Sequence, residues 1–546
     1  MTEETAIEAE EGSSAPQLLS AGLRRILRDT LPSVSSMAVL EPSMALADLG
    51  ADSMALARLA AAIKERFGVT VLLPQLVKMP SLLHLQIFIF SGGTALLGGM
   101  LNEVKATATT TETGEGENES EKSNKKAHVV TSWHAEVNSI WEPLEKSLQT
   151  ILGERVGEGR EKEGEGGGED ILLTGASGFY GAFLLHELLC HPAFQKSKVI
   201  CIVRAKSREE AFKRLEDNLR HYLSWHEEFS ARIYALAGDV AQEPAMGLSS
   251  EEDYSFLEKH VNLIVHNAAV VNSVLPYASL RGSNVIATCN ILRLAARTGA
   301  VLHHVSTIGL LAGSGVQKEA EEVPSTALSL LSGYAQSKWV AERLVLRAVK
   351  KMGMPCYVYR PGTLSGDSRT GACNAQDTVT RMLLGLAKEK IYCLDEDSPL
   401  PNTFPLIPTD WAASALVHIA ASLGGSSTSS TKERVYHIVN RNPQTLEGLV
   451  EGLRAFGVDM RAVDAEEFRA RIADVEADHP LYVFKSVLSY GGYASGSAKT
   501  MPDDTNTRSA LAQASEMMPS RNQPKDSCPF FTTDMLVLML RYCCAK

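Results

Sequence analysis

The chain has 546 residues, too many for one core and enough for about three or four units of ordinary domain size. Its 45% hydrophobic and 22% charged composition is that of a globular protein, and 53 basic against 65 acidic residues give a net charge of -12, which argues against nucleic acid or an anionic membrane as the main partner. The start, M-T-E-E-T-A-I-E-A-E-E, has no basic and then apolar signal pattern, and no run reaches the roughly eighteen apolar residues of a membrane span, so no span and a cytoplasmic location are expected. The nine cysteines are scattered, and Cys543 and Cys544 stand too close for a zinc or redox spacing, so free thiols and no metal site are expected.

Residues 1 to about 15 form a charged leader, and Leu18 to Leu27 then alternates apolar and polar residues at helical spacing. A second helix is expected in A-L-A-D-L-G-A-D-S-M-A-L-A-R-L-A-A-A-I-K-E-R-F-G, where Leu56, Leu59, Ile63 and Phe67 share a face and Gly68 supplies the stop. Asp52 and Ser53 stand at its start, where an N-cap alone would ask for them. The stretch L-G-A-D-S-M-A-L-A-R-L, with the helical segment before it and M-P-S-L-L-H-L after it, resembles an acyl or peptidyl carrier domain spanning residues 15–92. That resemblance implies a small all-α bundle in which Ser53 carries 4'-phosphopantetheine, placed there by a phosphopantetheinyl transferase. A helix N-terminus suits the attached phosphate.

From residue 93 to 169 the composition shifts to Gly, Thr, Glu, Ser and Lys, as in a flexible linker. One amphipathic helix interrupts it at 132–152, with Val137, Ile140, Trp141, Leu144, Leu148 and Ile151 on one side, and it is expected to pack on the next domain.

At Asp170 to Gly181, D-I-L-L-T-G-A-S-G-F-Y-G, a short apolar strand runs into glycines at three-residue spacing. Gly175 allows a tight turn, Gly178 lets a pyrophosphate approach the main chain, and Gly181 lets the following helix, expected over Phe183 to Leu189, pack on the sheet. Ser177 and Phe179 complete the expected cofactor contacts of this turn. A second strand, K-V-I-C-I-V-R, ends in Arg204 where an acid would bind the ribose 2'-hydroxyl of NAD. A guanidinium there fits a 2'-phosphate and favours NADPH, although a surface arginine ending a strand would look the same. Lys206, Arg208 and Arg214 add positive charge nearby. Asp239 ends a third strand, at the adenine edge, and V-N-L-I-V-H-N-A-A-V-V-N ends a fourth at Asn267, Ala268 and Ala269, small enough to let a ribose lie close. His266 and Asn272 serve equally as ligand contacts or as structural residues.

A fifth strand ends at Ser306 and Thr307, and in S-G-Y-A-Q-S-K-W-V-A-E the side chains of Tyr334 and Lys338 fall on one helix face. An ammonium beside a phenol lowers the phenol's pKa from about 10, so Tyr334 is expected to pass a proton near neutrality, with Lys338 also holding the nicotinamide ribose. The Thr307 hydroxyl would hydrogen-bond a substrate carbonyl as it gains charge.

Residues 170 to about 490 resemble the extended short-chain dehydrogenase/reductases, and more narrowly the thioester reductase domains of nonribosomal peptide synthetases, carboxylic acid reductases and aminoadipate reductases. The narrower resemblance rests on T-G-A-S-G-F-Y-G, V-R-A, H-N-A-A-V-V-N, V-S-T, G-Y-A-Q-S-K-W-V-A-E and especially Y-R-P-G-T-L-S-G-D-S-R-T-G-A-C-N-A-Q-D (Tyr359 to Asp377). It implies an α/β, Rossmann-type doubly wound parallel sheet with a small C-terminal substrate lobe, mostly after residue 380 of a domain spanning 170–546. It carries the catalytic roles to Thr307, Tyr334 and Lys338, and the 2'-phosphate to Arg204 with Arg214. Tyr180 stands where relatives commonly have Leu, a difference of packing. Residues 495–525 are expected to be loop and Phe530 to Tyr542 a closing helix. The implied reaction is NADPH-dependent release of a pantetheine-bound acyl thioester as aldehyde, through a hemithioacetal, with a second reduction to alcohol left open. Other readings are a dehydrogenase or epimerase acting on a free small molecule, or a non-catalytic nucleotide-binding scaffold. No stretch resembles an adenylation domain, so an adenylating or acyl-transferring enzyme in trans is expected to load the carrier.

Overall fold

Apolar runs such as V-I-C-I-V carry bulky side chains on both faces, which requires a sheet covered on both sides. The computed structural model describes residues 21–31, 44, 46–49, 53–67, 71, 76, 82, 85, 132–157, 170–272, 275–311, 315–320, 323, 332–423, 434–476, 478–485, 488, 500–516 and 525–545. The chain divides into two compact units, Met1–Ala127 and His128–Lys546. The charged leader, Asp52, Gly68 and most of the Gly/Glu-rich linker lie outside the described residues.

In the first unit, α1 (Ala21–Thr30) packs on α2 (Ser53–Phe67). Leu23 and Leu27 of α1 are buried, as are Leu56, Leu59 and Ile63 on the expected face of α2, while Phe67 is half-buried. Ser53 is the first residue of α2.

The second unit is built on seven parallel strands: β1 (Asp170–Thr174), β2 (Val199–Val203), β3 (Ile233–Ala237), β4 (Val261–His266), β5 (Val301–Val305), β6 (Cys356–Pro361) and β7 (Val435–Ile438). Their order is β7-β6-β5-β4-β1-β2-β3, so the chain runs outward from β1 on one side, crosses back, and runs outward again from β4. The crevice between the carboxyl ends of β1 and β4 is therefore the switch point at which open α/β sheets bind ligands. Strand residues alternate between two cores. Leu172, Ile200, Ile264 and Leu302 face α3 (Trp133–Gly157), while Ile171, Leu173, Cys201 and Val265 face α4 (Phe179–Cys190), α5 (Arg208–Tyr222) and, beyond them in the chain, α10 (Thr409–Leu423). Between α5 and α10 stand α6 (Glu251–His260), α7 (Ala287–Thr298), α8 (Gly333–Met352) and α9 (Thr378–Glu389), of which α7 and α8 pack on α3.

The helix expected inside the linker is thus a wall of the second unit. Val137, Ile140, Trp141, Leu144, Leu148 and Ile151 are all buried in the core beneath the sheet. The buried Glu136 carboxylate fixes its start by accepting from the Tyr277 hydroxyl at 2.7 Å and Arg281 Nε at 2.8 Å. The helix after the glycine turn starts at Phe179, four residues before the expected Phe183, because Gly181 is small enough to lie inside its first turn.

The lobe is formed by α9, α11 (Leu446–Ala455), α12 (Ala465–Ala473) and, after α13 (Thr505–Glu516), α14 (Thr533–Cys544), around a core that includes Leu386, Leu453, Phe468 and Leu536. The expected loop at 495–525 is overturned by α13 and by Thr500–Pro502, which pairs in parallel with Gly315–Gln317. The cause is a distant carboxylate: Glu319 accepts from the backbone amides of Asn506 and Thr507, the latter at 3.2 Å, and from the Thr507 hydroxyl at 2.7 Å, satisfying the N-terminal groups of α13.

If α3 is a wall rather than a tether, Leu148→Ala should lower the stability of the second unit by about 2–5 kcal/mol, whereas the exposed Glu142→Ala should stay within about 0.5 kcal/mol. Urea unfolding of the full chain followed by tryptophan fluorescence checks this, and two neutral substitutions would contradict it.

Candidate active site at the carboxyl ends of the sheet

The glycine turn after β1 is shaped by contact. Gly175 has φ +72°, and a Cβ there would stand 2.8 Å from the Ala268 backbone. A Cβ on Gly181 would stand 2.0 Å from the Gly175 carbonyl oxygen, so the first turn of α4 can close on β1 only without one. Gly178 caps α4 with no side chain, which leaves the helix N-terminus to an anion. Two residues that spacing did not single out brace this region. Asn218 of α5 donates to the carbonyls of Ala176 at 3.2 Å and Gly178 at 3.0 Å, and Asn284 pairs with the Val270 backbone through both ends of its amide, at 2.7 and 3.1 Å. Nothing in a single sequence sets Asn218 apart from any other polar residue on an exposed helix.

A cavity of about 620 Å³ opens over the ends of β1, β2, β4 and β5. It is lined by Gly175, Ser177, Gly178, Phe179 and Gly181 of the turn, by Arg204, Arg214 and Asp239, by Asn267, Ala268 and Ala269, and by Thr307, Tyr334 and Lys338. The far wall comes from Leu364, Asn374, Asp377, Thr378 and Val379, a wall not foreseen although the first three lie in the stretch Tyr359 to Asp377 that stands out in the sequence. Asp377 caps α9, accepting from the amides of Val379 at 2.8 Å and Thr380 at 2.9 Å. Ser53 belongs to the other unit, and its side chain is outside the described residues.

The expected site residues differ in what holds them. Arg204 is exposed one residue beyond β2, and Arg214 donates to its backbone carbonyl. Lys206 and Arg208 are not part of the cavity lining: Arg208 turns to Asp253 and lies over the Tyr234 ring. The Asp239 carboxylate accepts from Ala241 N at 3.0 Å in a turn of its own. His266 is structural, between the Thr174 hydroxyl at 2.8 Å and the Thr288 hydroxyl at 3.1 Å. Burial, with Lys338 second, pushes it down to about 3, so it is neutral, and the network is satisfied with its proton on Nε2. Asn272 closes a turn by accepting from Leu275 N at 3.0 Å. The Tyr180 hydroxyl donates to the Ala412 carbonyl at 3.0 Å, a packing role as expected.

Tyr334 and Lys338 share the first turns of α8, yet the expected lowering of the phenol's pKa is absent. Lys338 is buried and donates to the Val305 carbonyl at 2.6 Å. Burial pushes its ammonium down to about 8, with Glu342 opposing. Burial also pushes the Tyr334 phenol up to about 12, and only a hydrogen bond with Thr307 opposes it. Thr307 Oγ1 accepts from Gly309 N at 3.1 Å, which leaves its own proton to donate. The site therefore presents a protonated phenol and a second hydroxyl side by side, a pair suited to stabilising an oxyanion.

The uncapped helix, the glycine cradle and the two exposed arginines fit a dinucleotide carrying an extra phosphate. Residues 173–416 match the NAD-binding family described as male sterility protein, and residues 21–85 match the phosphopantetheine attachment site family. One of the subunits of linear gramicidin synthase from Brevibacillus parabrevis is 35% identical over 347 residues, 62% of this chain and 6% of that protein. Glycine betaine reductase of Emericella nidulans is 35% identical over 296 residues, 53% of this chain and 22% of that protein. The chain thus spans less than a quarter of either. Among solved structures, the terminal R domain from the myxalamid PKS-NRPS biosynthetic pathway superposes with a TM-score of 0.58 at 32% identity, covering 69% of this chain and 90% of that one. No described helix is long and apolar enough to cross a membrane.

Forcing a methyl into the α4 contact should displace the turn. Gly181→Ala is expected to cost about 1–3 kcal/mol of stability and to weaken NADPH binding at least about tenfold. Thermal unfolding and a fluorescence titration measure both, and an unchanged affinity would contradict the role of this contact.

Proposed function

Because the chain belongs to the thioester reductase domains of the extended short-chain dehydrogenase/reductase family, here preceded by a phosphopantetheine carrier domain, we propose that it releases a carrier-bound acyl thioester reductively as an aldehyde. In this reading the carrier occupies residues 15–92, with 4'-phosphopantetheine attached at Ser53 by a phosphopantetheinyl transferase. The acyl group is loaded by an adenylating or acyl-transferring enzyme. The observation that carries the proposal is that Thr307, Tyr334 and Lys338 line the same cavity as the glycine turn and Arg204.

When bound, NADPH supplies the hydride. The residues to hold it are the amides of the Gly175–Gly181 turn and the α4 N-terminus for the pyrophosphate, Arg204 with Arg214 for the 2'-phosphate, Asp239 at the adenine end, and Asn267, Ala268 and Ala269 along the ribose. Thr307 and Tyr334 donate hydrogen bonds to the substrate carbonyl oxygen as it gains negative charge, and Tyr334 is the source of the proton. Lys338, charged below about 8, adds a positive potential at the same wall and orients the ribose. Against an epimerase or dehydrogenase acting on a free small molecule stands the carrier domain, for which such an enzyme has no use.

The test is to pantetheinylate the full chain, acylate the arm chemically, and follow NADPH. One NADPH per acyl group should be consumed with release of aldehyde and free thiol. Ser53→Ala should accept no arm, and Tyr334→Phe should slow release about a hundredfold to ten-thousandfold. Arg204→Ala should lose about tenfold or more with NADPH and little with NADH, since a charge-assisted bond is worth about 1.5–3 kcal/mol. An acyl arm left intact by the wild type would overturn the proposal.

A pH profile gives an independent check. The Lys338 charge is lost as pH rises through about 8, so the single-turnover rate of aldehyde release at subsaturating NADPH, which reports the protein before the cofactor binds, should fall on the alkaline side with its midpoint there. A profile flat through that range would show that the charge on Lys338 is not used.

A further inference from the structure

Cys373 and Cys543 are 170 residues apart in the chain, yet their sulfurs lie 3.4 Å from each other. Cys373 is 2% exposed and directly precedes Asn374 in the far wall of the cavity. Cys543 is partly buried in the last turn of α14. The two segments are closely fitted: Gly366 N donates to Met539 Sδ at 3.3 Å, and a Cβ on Gly371 would stand 2.2 Å from the Leu538 carbonyl carbon. The sulfurs need to close by only about 1.4 Å to reach bonding distance.

We propose that Cys373 and Cys543 form an oxidation site, at which a small-molecule disulfide of the glutathione class converts the two thiols into an intramolecular disulfide that fastens α14 to the cavity wall. The Cys543 thiolate attacks one sulfur of the reagent, breaking its S–S bond and releasing one glutathione thiolate. The Cys373 thiolate then attacks Cys543 Sγ in the mixed disulfide and expels the second. Two cysteine sulfurs are oxidised, the reagent is reduced to two thiols, and those thiols take up the two cysteine protons. Exposure assigns the roles, since Cys543 can be reached from solvent and Cys373 cannot. The close contact of the two sulfurs agrees with this, holding the Cys543 thiol below its usual range and the Cys373 thiol above it. Cys190 and Cys544 are exposed and would react without closing this bond.

The experiment uses the full chain carrying Cys190→Ser and Cys544→Ser, treated with oxidised glutathione. Thiol titration in denaturant should fall by two, the intact mass should drop by two hydrogen atoms with no adduct, and digestion should join the peptides holding Cys373 and Cys543. Reductant should reverse all three. Adding Cys373→Ser should stop the reaction at one glutathione adduct on Cys543. A mixed disulfide that persists on Cys543 while Cys373 is present, an unchanged thiol count, or a Cys543–Cys544 bond in the wild type with Cys373 left free would each overturn the proposal.

Discussion

The corner of the second unit that carries Thr307, Tyr334 and Lys338 depends on one buried ion pair. Glu342 and Arg360 are both fully buried, with Arg360 Nη2 donating to Glu342 at 2.6 Å and Nε at 3.1 Å. Burial alone would push the Glu342 carboxyl up, but the Arg360 guanidinium, aided by Arg343 and Ser306, holds it below the usual carboxylate range. The pair ties elements together: Glu342 of α8 accepts from the Ser306 hydroxyl at 2.7 Å, and Arg360 of β6 donates to His437 Nε2 of β7 at 3.1 Å and to the Ala320 carbonyl at 3.0 Å. Removing one partner of such a pair leaves a buried charge at a cost of about 3–5 kcal/mol. Here it would also release the strand end that carries Thr307 from the helix that carries Tyr334.

The same pair sets the chemistry one turn away. Lys338 lies four residues before Glu342, and that carboxylate opposes the burial that would otherwise discharge the ammonium further. At Tyr334 burial is opposed only by the hydrogen bond with Thr307, and the phenol stays protonated across the neutral range. Reduction of a carbonyl consumes a proton, so a phenol that is already protonated is in the correct form for that direction, and it needs no phenolate to be prepared beforehand.

Much of this architecture was legible in the sequence because short apolar runs with both faces filled can only be covered parallel strands, and because Gly175, Arg204, Thr307 and Tyr334 follow those runs in the chain order that a switch-point crevice requires. The parts that were not legible depend on tertiary partners. The polar segment T-N-T-R-S-A-L-A-Q-A-S-E is a helix because Glu319, almost two hundred residues earlier, satisfies its N-terminus. The spacing of Tyr334 and Lys338 places them on one face but says nothing of the Val305 carbonyl that takes the ammonium, nor of the burial that moves both pKa values. Asn374 and Asp377 join the cavity wall only because the lobe folds back beside the sheet.

On the proposed function, the hydride delivered over this cavity reaches the carbonyl carbon of an acyl chain tethered to Ser53. The most direct test is isotopic: NADPH carrying deuterium at the transferable C4 position is given to the pantetheinylated, acylated protein, and the released product is analysed by mass spectrometry. One deuterium is expected at the carbonyl carbon of the aldehyde, and none in product from unlabelled cofactor. Aldehyde that forms without the label, or NADPH that is oxidised while the tethered acyl group stays unlabelled and intact, would contradict it.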